Sequence, residues 1–205
     1  MMSLELYLAY LLACFVIVIV PGPTVTLIIA NSLRHGTRAG LLNVAGTQVG
    51  LAVMIGIVAI GLASLVESMG HWFDLVRLLG AAYLVWLGWK MLRAPAPADG
   101  AGPAPRPREG FLMQGAVVAL SNPKTLIFFG AFFPQFIDPR GDALPQVLLL
   151  GVTALAFAAV SDSLYALLAG SAGRLLSRRR VQLISRLSGG FLIGGGVWLA
   201  LQRSR

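Results

Sequence analysis

The sequence has little charge and almost no cysteine or histidine. Its 205 residues include one cysteine, Cys14, and two histidines. A single cysteine excludes an internal disulfide and a CxxC redox pair, and so few thiols and imidazoles leave no Cys/His cluster for zinc. No Ser/His/Asp set and no pair of carboxylates falls within reach in any plausible apolar segment. We therefore expect no enzyme activity, no metal site and no cofactor.

Apolar residues take the place of the missing charge. Hydrophobic side chains make up 57% of the chain and charged ones 12%, and the mean hydropathy is +0.81. Because a spanning helix needs about 20 mostly apolar residues, six segments qualify as transmembrane helices. The sequence thus predicts an all-α polytopic membrane protein with the lipid bilayer around it and spans at roughly 5–30, 40–66, 74–92, 111–133, 145–171 and 186–202.

A proline-rich segment divides the chain into two halves. Residues 94–109, APAPADGAGPAPRPRE, contain five prolines and two glycines. This composition is typical of an extended linker. The expected organisation is a first three-helix unit over 1–93, the linker, and a second three-helix unit over 110–205.

Basic residues predict how the chain is oriented. The formal charge of +8 could suggest a nucleic-acid partner, but the arginines sit at the ends of apolar segments and form no basic face, so we expect none. Since cytoplasmic loops are enriched in Lys and Arg, both termini are predicted outside and the linker cytoplasmic. Eleven basic residues follow predicted spans one, three and five, namely Arg34, Arg38, Lys90, Arg93, Arg106, Arg108, Arg174, Arg178, Arg179, Arg180 and Arg186, against four on the other side, namely Arg77, Arg140, Arg203 and Arg205.

Two proline breaks point to an internal repeat. VIVPGPTVTLII and VALSNPKTLIFF each place proline inside an apolar run, and an offset of 100 aligns Pro23 with Pro123. An offset of 109 aligns RLLGAAYLVWLGWKML with RLSGGFLIGGGVWLAL. Two units of three spans must lie in opposite orientations, the plan of many secondary transporters, whose sites lie at broken helices. We predict two inverted three-helix repeats with helices one and four broken; chance matching of Leu, Gly and Ala is the alternative.

The breaks themselves form the predicted substrate site. Proline suits the first position of a helix, so Gly22 and Asn122 are expected N-caps. Each break presents freed carbonyls from one half-helix and the positive N-terminus of the next. These groups suit a small zwitterion, with its carboxylate at the amides and its ammonium at the carbonyls. The predicted binding residues here are Pro21, Gly22, Pro23, Asn122 and Pro123; a kink used only for packing is the alternative.

Two charged residues fall inside predicted spans, where a charge is costly and often functional. Lys124 could neutralise a substrate carboxylate, pair with an acid or reach the membrane surface. Asp162 is the only acid well inside a span. It could accept a transported proton, hold an ammonium group or pair structurally with a basic residue.

The second predicted span carries small and polar residues. Its glycines Gly46, Gly50 and Gly56 favour close helix packing. Three polar neighbours could line a path through the membrane, and these are Asn43, Thr47 and Gln48.

Four segments together resemble a known family. PGPTVTLIIANSLRHGTRAGLLNVAGTQVG, LLGAAYLVWLGWKMLR, NPKTLIFFGAFFPQFIDP and LLGVTALAF are similar, in order and spacing, to the lysine exporter superfamily and specifically its homoserine/threonine exporter branch. The resemblance covers essentially the whole chain. It implies a bacterial inner-membrane exporter of neutral amino acids or derivatives, of homoserine, threonine or leucine type, driven by proton antiport. It points to Pro21, Gly22, Pro23, Gly46, Gln48, Asn122, Pro123 and Lys124.

One departure and one alternative remain open. Many relatives carry an acid shortly after the GVT element, where this chain has Ala158, and Asp162 follows one turn later. A divalent metal exporter of a distant superfamily branch is the alternative function. It would need several oxygen, imidazole or thiolate ligands within the spans, where the sequence offers little beyond Asp162. The amino acid, the stoichiometry and the oligomeric state stay open, with a homodimer as one option.

Overall fold

A computed structural model describes residues 3–19, 21–64, 70–93, 107–138, 141–175 and 177–201. These ranges contain α-helices and no β-strand. A π-helical turn (Phe128–Phe132) and a 3-10 turn (Phe133–Phe136) extend the sixth helix. Most of the predicted linker, residues 94–106, lies outside the described ranges. The helices are α1 (Leu4–Ile19), α2 (Pro23–His35), α3 (Thr37–Ser64), α4 (Gly70–Arg93), α5 (Gly110–Leu120), α6 (Pro123–Ile127), α7 (Ala143–Leu175) and α8 (Arg178–Leu201).

The chain bends at both predicted breaks. Pro23 begins α2 and Pro123 begins α6, and Gly22 and Asn122 are their N-caps, as predicted. The Asn122 side chain accepts a hydrogen bond from the backbone N–H of Lys124 at 3.0 Å. Since proline offers no N–H and clashes with the preceding turn, neither helix continues through the break. Each pair, α1 with α2 and α5 with α6, is bent by 48°.

The membrane spans are confirmed in part. Two described helices are long and apolar enough to cross a membrane, over Thr37–Ile60 and Ala143–Ala172, with mean hydropathies of 1.9 and 2.1. The two bent pairs qualify if each counts as one span. α4 and α8, at predicted spans three and six, are helical, but neither is among the described stretches that meet this test. The six-span count stays a prediction.

Glycines bring α3 and α5 into backbone contact. A Cβ at Gly46 would overlap the carbonyl of Leu112, and one at Gly50 would lie 2.8 Å from the carbonyl oxygen of Ala116. Larger residues would separate the helices, and this close approach supports the predicted packing role of Gly46 and Gly50. Gly56 differs: among the described residues, no atom of another helix lies within 4 Å of its Cβ position.

α4 and α8 pack in the same way and run antiparallel. A Cβ at Gly88 would overlap the Gly189 carbonyl, and one at Gly189 would lie 2.6 Å from the Gly88 carbonyl oxygen. Further along α8, a Cβ at Gly196 would lie 2.8 Å from the carbonyl oxygen of Ala81 in α4. Residue numbers therefore rise along one helix as they fall along the other.

The helix ends that carry basic residues lie at one end of the bundle. The rings of His35, at the end of α2, and Phe111, at the start of α5, are 5.1 Å apart. Gly170, near the end of α7, packs on Thr37 at the start of α3. Met91, near the end of α4, shares a buried apolar cluster with α2. We call this the basic end.

An aromatic cluster anchors α1 against the extension of α6. The ring of Tyr10 lies edge-on to Phe133 at 5.9 Å, and Phe128 lies edge-on to Phe129 at 5.1 Å. The Tyr10 hydroxyl donates to the carbonyl of Leu150 in α7 at 2.9 Å. Edge-on rings and a satisfied hydroxyl stabilise buried aromatic packing, and this cluster fixes one wall of the site described next.

Candidate functional site

The two breaks meet inside the bundle. A Cβ at Gly22 would lie 3.2 Å from Cε of Lys124. The Asn122 side-chain amide donates to the hydroxyl of Thr24 at 3.3 Å. Residues around the first proline therefore contact residues around the second, although about a hundred positions separate them in the sequence.

Lys124 bonds to the end of the opposite half-helix. Its ammonium donates to the carbonyl of Ile17 at 3.0 Å. That carbonyl belongs to the last turn of α1, where carbonyls have no partner within the helix. A cation is also favoured at a helix C-terminus by the helix dipole. The cation supplied by the second break thus satisfies the backbone opened by the first.

A cavity of about 60 Å³ lies beside this contact. One part of its lining is polar and the other aromatic or aliphatic. The lining residues are Cys14, Ile17, Val18, Thr24, Val25, Thr47, Leu51, Lys124, Thr125, Phe128, Phe129, Ala154, Phe157, Ala158 and Asp162.

The two charged residues predicted within spans line the same cavity. Asp162 is only 5% exposed, and Lys124 is half-buried. Their opposite charges act on each other. One acid and one cation thus line the same cavity, an arrangement that matches the two charges of a zwitterion.

One face of α7 carries both Asp162 and the position where relatives were expected to hold an acid. Ala154, Ala158 and Asp162 follow at intervals of four and all line the cavity. Side chains four residues apart share a helix face. Asp162 therefore lies one turn along the same cavity wall from the position where the resemblance implies an acid.

The remaining predicted residues lie around the cavity and do not line it in the described part of the chain. Pro23 and Pro123 begin the half-helices α2 and α6, and Asn122 caps the second of them. All three are buried, whereas Pro21 is exposed. Gln48 is half-buried, and its neighbour Thr47 lines the cavity instead. These prolines and caps shape the backbone of the site.

Sequence reasoning missed several residues that form the site. Thr24 and Thr125 place hydroxyls in the cavity wall, and the signal was available, since each follows a helix-starting proline within two residues. The role of the Ile17 carbonyl could not be predicted from the sequence, because every residue has a backbone carbonyl. The phenylalanine wall depends on the π-helical turn Phe128–Phe132, which apolar periodicity does not indicate.

A buried network of amides lies toward the basic end. The Asn31 side-chain amide donates to the oxygens of Asn43 and Gln114, both at 2.8 Å. The Asn43 amide donates to the carbonyl of Phe111 at 2.6 Å. Asn43, predicted as a path-lining candidate, is 0% exposed. The network ties α2, α3 and α5 together.

Comparisons with known proteins agree on one family. The sequence model of the LysE type translocator matches residues 15–203. An uncharacterized membrane protein of Vibrio cholerae serotype O1 is 37% identical over 205 residues, covering 99% of this chain and 100% of the relative. A homoserine/homoserine lactone efflux protein of Salmonella typhimurium is 34% identical, covering 98% and 99%. A leucine efflux protein of Klebsiella pneumoniae is 39% identical, covering 64% and 63%. No solved structure matches.

Proposed function

Because this chain belongs to the LysE type translocator family, we propose that it exports a neutral amino acid or close derivative, of homoserine, threonine or leucine type, across the bacterial inner membrane. Relatives named as homoserine/homoserine lactone and leucine efflux proteins support this substrate class. The observation that carries the proposal is the meeting of two broken helices beside a cavity that holds one cation and one acid.

The proposed binding mode places each charge of the substrate. The substrate carboxylate pairs with Lys124. The substrate ammonium takes the place of the Lys124 ammonium at the Ile17 carbonyl and faces Asp162. The side chain packs against the phenylalanine and aliphatic wall of the cavity. A neutral amino acid satisfies all three regions, whereas a second positive charge on the side chain would face an apolar wall.

Proton antiport follows from competition at Asp162. Its carboxylate attracts the substrate ammonium, and its protonated form does not. A proton arriving from outside therefore releases the substrate there, and loss of that proton to the cytoplasm restores the carboxylate for the next substrate. Lys124 pairs with the substrate carboxylate while the substrate is bound, and its ammonium donates to the Ile17 carbonyl when the site is empty.

The inverted-repeat architecture is proposed from two contacts between the halves that are equivalent under the repeat. The offset of 100 converts the contact of Gly22 with Lys124 into that of Asn122 with Thr24, and both contacts are present. A two-fold axis relating the halves requires this exchange. The second aligned pair, α4 and α8, is antiparallel, which suits the same symmetry. We therefore propose six spans in two inverted halves.

The basic end is proposed to face the cytoplasm, with both termini outside. The described helix ends that carry Arg34, Arg38, Lys90, Arg93 and Arg108 support this orientation, since cytoplasmic connections are rich in Lys and Arg.

An efflux assay tests the substrate class. Cells that express the protein are preloaded with dipeptides of homoserine, threonine, leucine and lysine, and the amino acid released into the medium is measured against empty-vector cells. We expect faster export of at least one of the three neutral amino acids and none of lysine. Protection against cadmium or manganese with no effect on amino acids would replace this proposal with metal export.

Alanine at each helix-starting proline tests the broken-helix site. Pro23→Ala and Pro123→Ala restore a backbone donor and let each helix continue, which removes the helix ends from the site. Both variants should insert, since alanine suits a helix better than proline, and both should lose export. Normal export at normal membrane abundance would mean that the breaks serve packing alone.

A further inference from the structure

An apolar groove runs along the outside of α4 and α8. Its volume is about 560 Å³. Small residues form its floor, where Ala81 and Ala82 of α4 face Gly196 and Ala200 of α8. Larger side chains border it, namely Leu78, Val85, Trp86, Trp89, Val197 and Leu201. None of these residues lines the cavity at the breaks.

Two cations lie against the aromatic border of the groove. The ammonium of Lys90 is 4.9 Å from the ring centroid of Trp86, and the guanidinium carbon of Arg93 is 4.3 Å from that of Trp89. Trp86 is 48% exposed and Trp89 50%. Both cations are exposed as well, at the end of α4. Each indole therefore forms part of the groove and also supports a positive charge.

The length of the groove matches one leaflet of a bilayer. From Leu78 to Trp89 the helix rises about 16 Å at 1.5 Å per residue. The hydrocarbon core of a bilayer is about 30 Å thick, or about 15 Å per leaflet. Tryptophan favours the level of the headgroups. With Trp89 at that level and Trp86 about one turn below it, the groove spans the acyl region and the two cations lie near the phosphates.

We propose that this groove binds an anionic phospholipid. Its phosphate contacts Lys90 and Arg93, and one acyl chain lies over the alanine and glycine floor. Charge favours this occupant over a second copy of the chain. A two-fold dimer packed through the groove about an axis along the membrane normal would bring two sets of these cations to one level, where like charges repel.

Tryptophan quenching by brominated lipids tests the site. The variant W72F/W198F keeps Trp86 and Trp89 as the reporters and is reconstituted in phosphatidylcholine vesicles. Brominated phosphatidylglycerol or brominated phosphatidylcholine is added at equal mole fractions. Because each cation near an anionic surface favours binding, we expect the anionic lipid to be preferred on the order of tenfold. Equal quenching by both lipids would overturn the proposal.

Charge-removing variants assign the preference to the two cations. K90Q/R93Q in the same background should lose the preference while retaining quenching by brominated phosphatidylcholine, which reports an intact groove. R179Q/R180Q removes two other exposed charges, from the start of α8, and should keep the preference. A preference that survives in K90Q/R93Q would overturn the proposal. Absence of quenching by either lipid would mean that no lipid occupies the groove, and would overturn the proposal too.

Discussion

Removing the Lys124 ammonium should weaken binding of substrates that carry a carboxylate. In Lys124→Met the side chain keeps a similar length but loses both its charge and its hydrogen bond to the Ile17 carbonyl at 3.0 Å. A hydrogen bond to a charged group contributes about 1.5–3 kcal/mol, and every 1.4 kcal/mol is about tenfold in affinity. We therefore expect the apparent affinity for leucine to fall about 10- to 150-fold.

The assay compares two competitors that differ in one charge. Inside-out vesicles accumulate labelled leucine, and unlabelled leucine or leucine amide is added to inhibit accumulation by half. Leucine amide lacks the carboxylate, so its inhibition should change little between wild-type and Lys124→Met vesicles. Lys124→Arg keeps a cation and its donors at this position and should retain most of the preference for the acid. The vesicle content of each variant is measured alongside.

Equal losses for leucine and leucine amide in Lys124→Met would refute the proposed pairing. In that case the ammonium would serve only to satisfy the end of α1, and the carboxylate would bind elsewhere, such as at the half-helix amides. An unchanged affinity for both competitors would place the substrate away from this break altogether.

Three further predictions concern topology, coupling and packing. Reporter fusions at Gly102 and after Arg205 should report opposite sides of the membrane, and a shared compartment would contradict the six-span plan. Asp162→Asn should abolish export against a gradient while sparing exchange between substrate pools; a mutant that still concentrates leucine, with an unchanged pH profile, would eliminate Asp162 from coupling. Gly46→Leu should destabilise the protein by about 1–3 kcal/mol through overpacking, seen as a lower melting temperature in detergent, whereas Gly56→Leu should have little effect, and equal effects would count against the contact with α5.

Local rules made the breaks predictable. Proline cannot continue a helix from its own position, so the start of α2 at Pro23 and of α6 at Pro123 follows from the sequence alone. The caps Gly22 and Asn122 follow from the same rule. The partners of Lys124 do not, because the Ile17 carbonyl lies 107 positions away and only the packing of whole helices brings them together.

The cavity shows the same division between local and long-range information. The face shared by Ala158 and Asp162 follows from helical periodicity, so the sequence could place both residues on one wall of the cavity. Which of Thr47 and Gln48 lines the cavity depends on the rotation of α3. The sequence made both candidates and the resemblance pointed to Gln48, whereas the structure places Thr47 in the wall. The packing expectation for Gly56 has the same limit, because the small size of a glycine does not show whether a neighbouring helix approaches it.

Glycine contacts between α3 and α5 and between α4 and α8 restrict the motions open to the bundle. Where one backbone rests on another, sliding either helix by a residue would drive a side chain into a carbonyl, and close-packed interfaces of this kind do not deform gradually. Each pair should therefore travel as a rigid body. We expect the change between inward-open and outward-open states to fall to the hinges at Gly22 and Asn122, which adjoin the proposed substrate site.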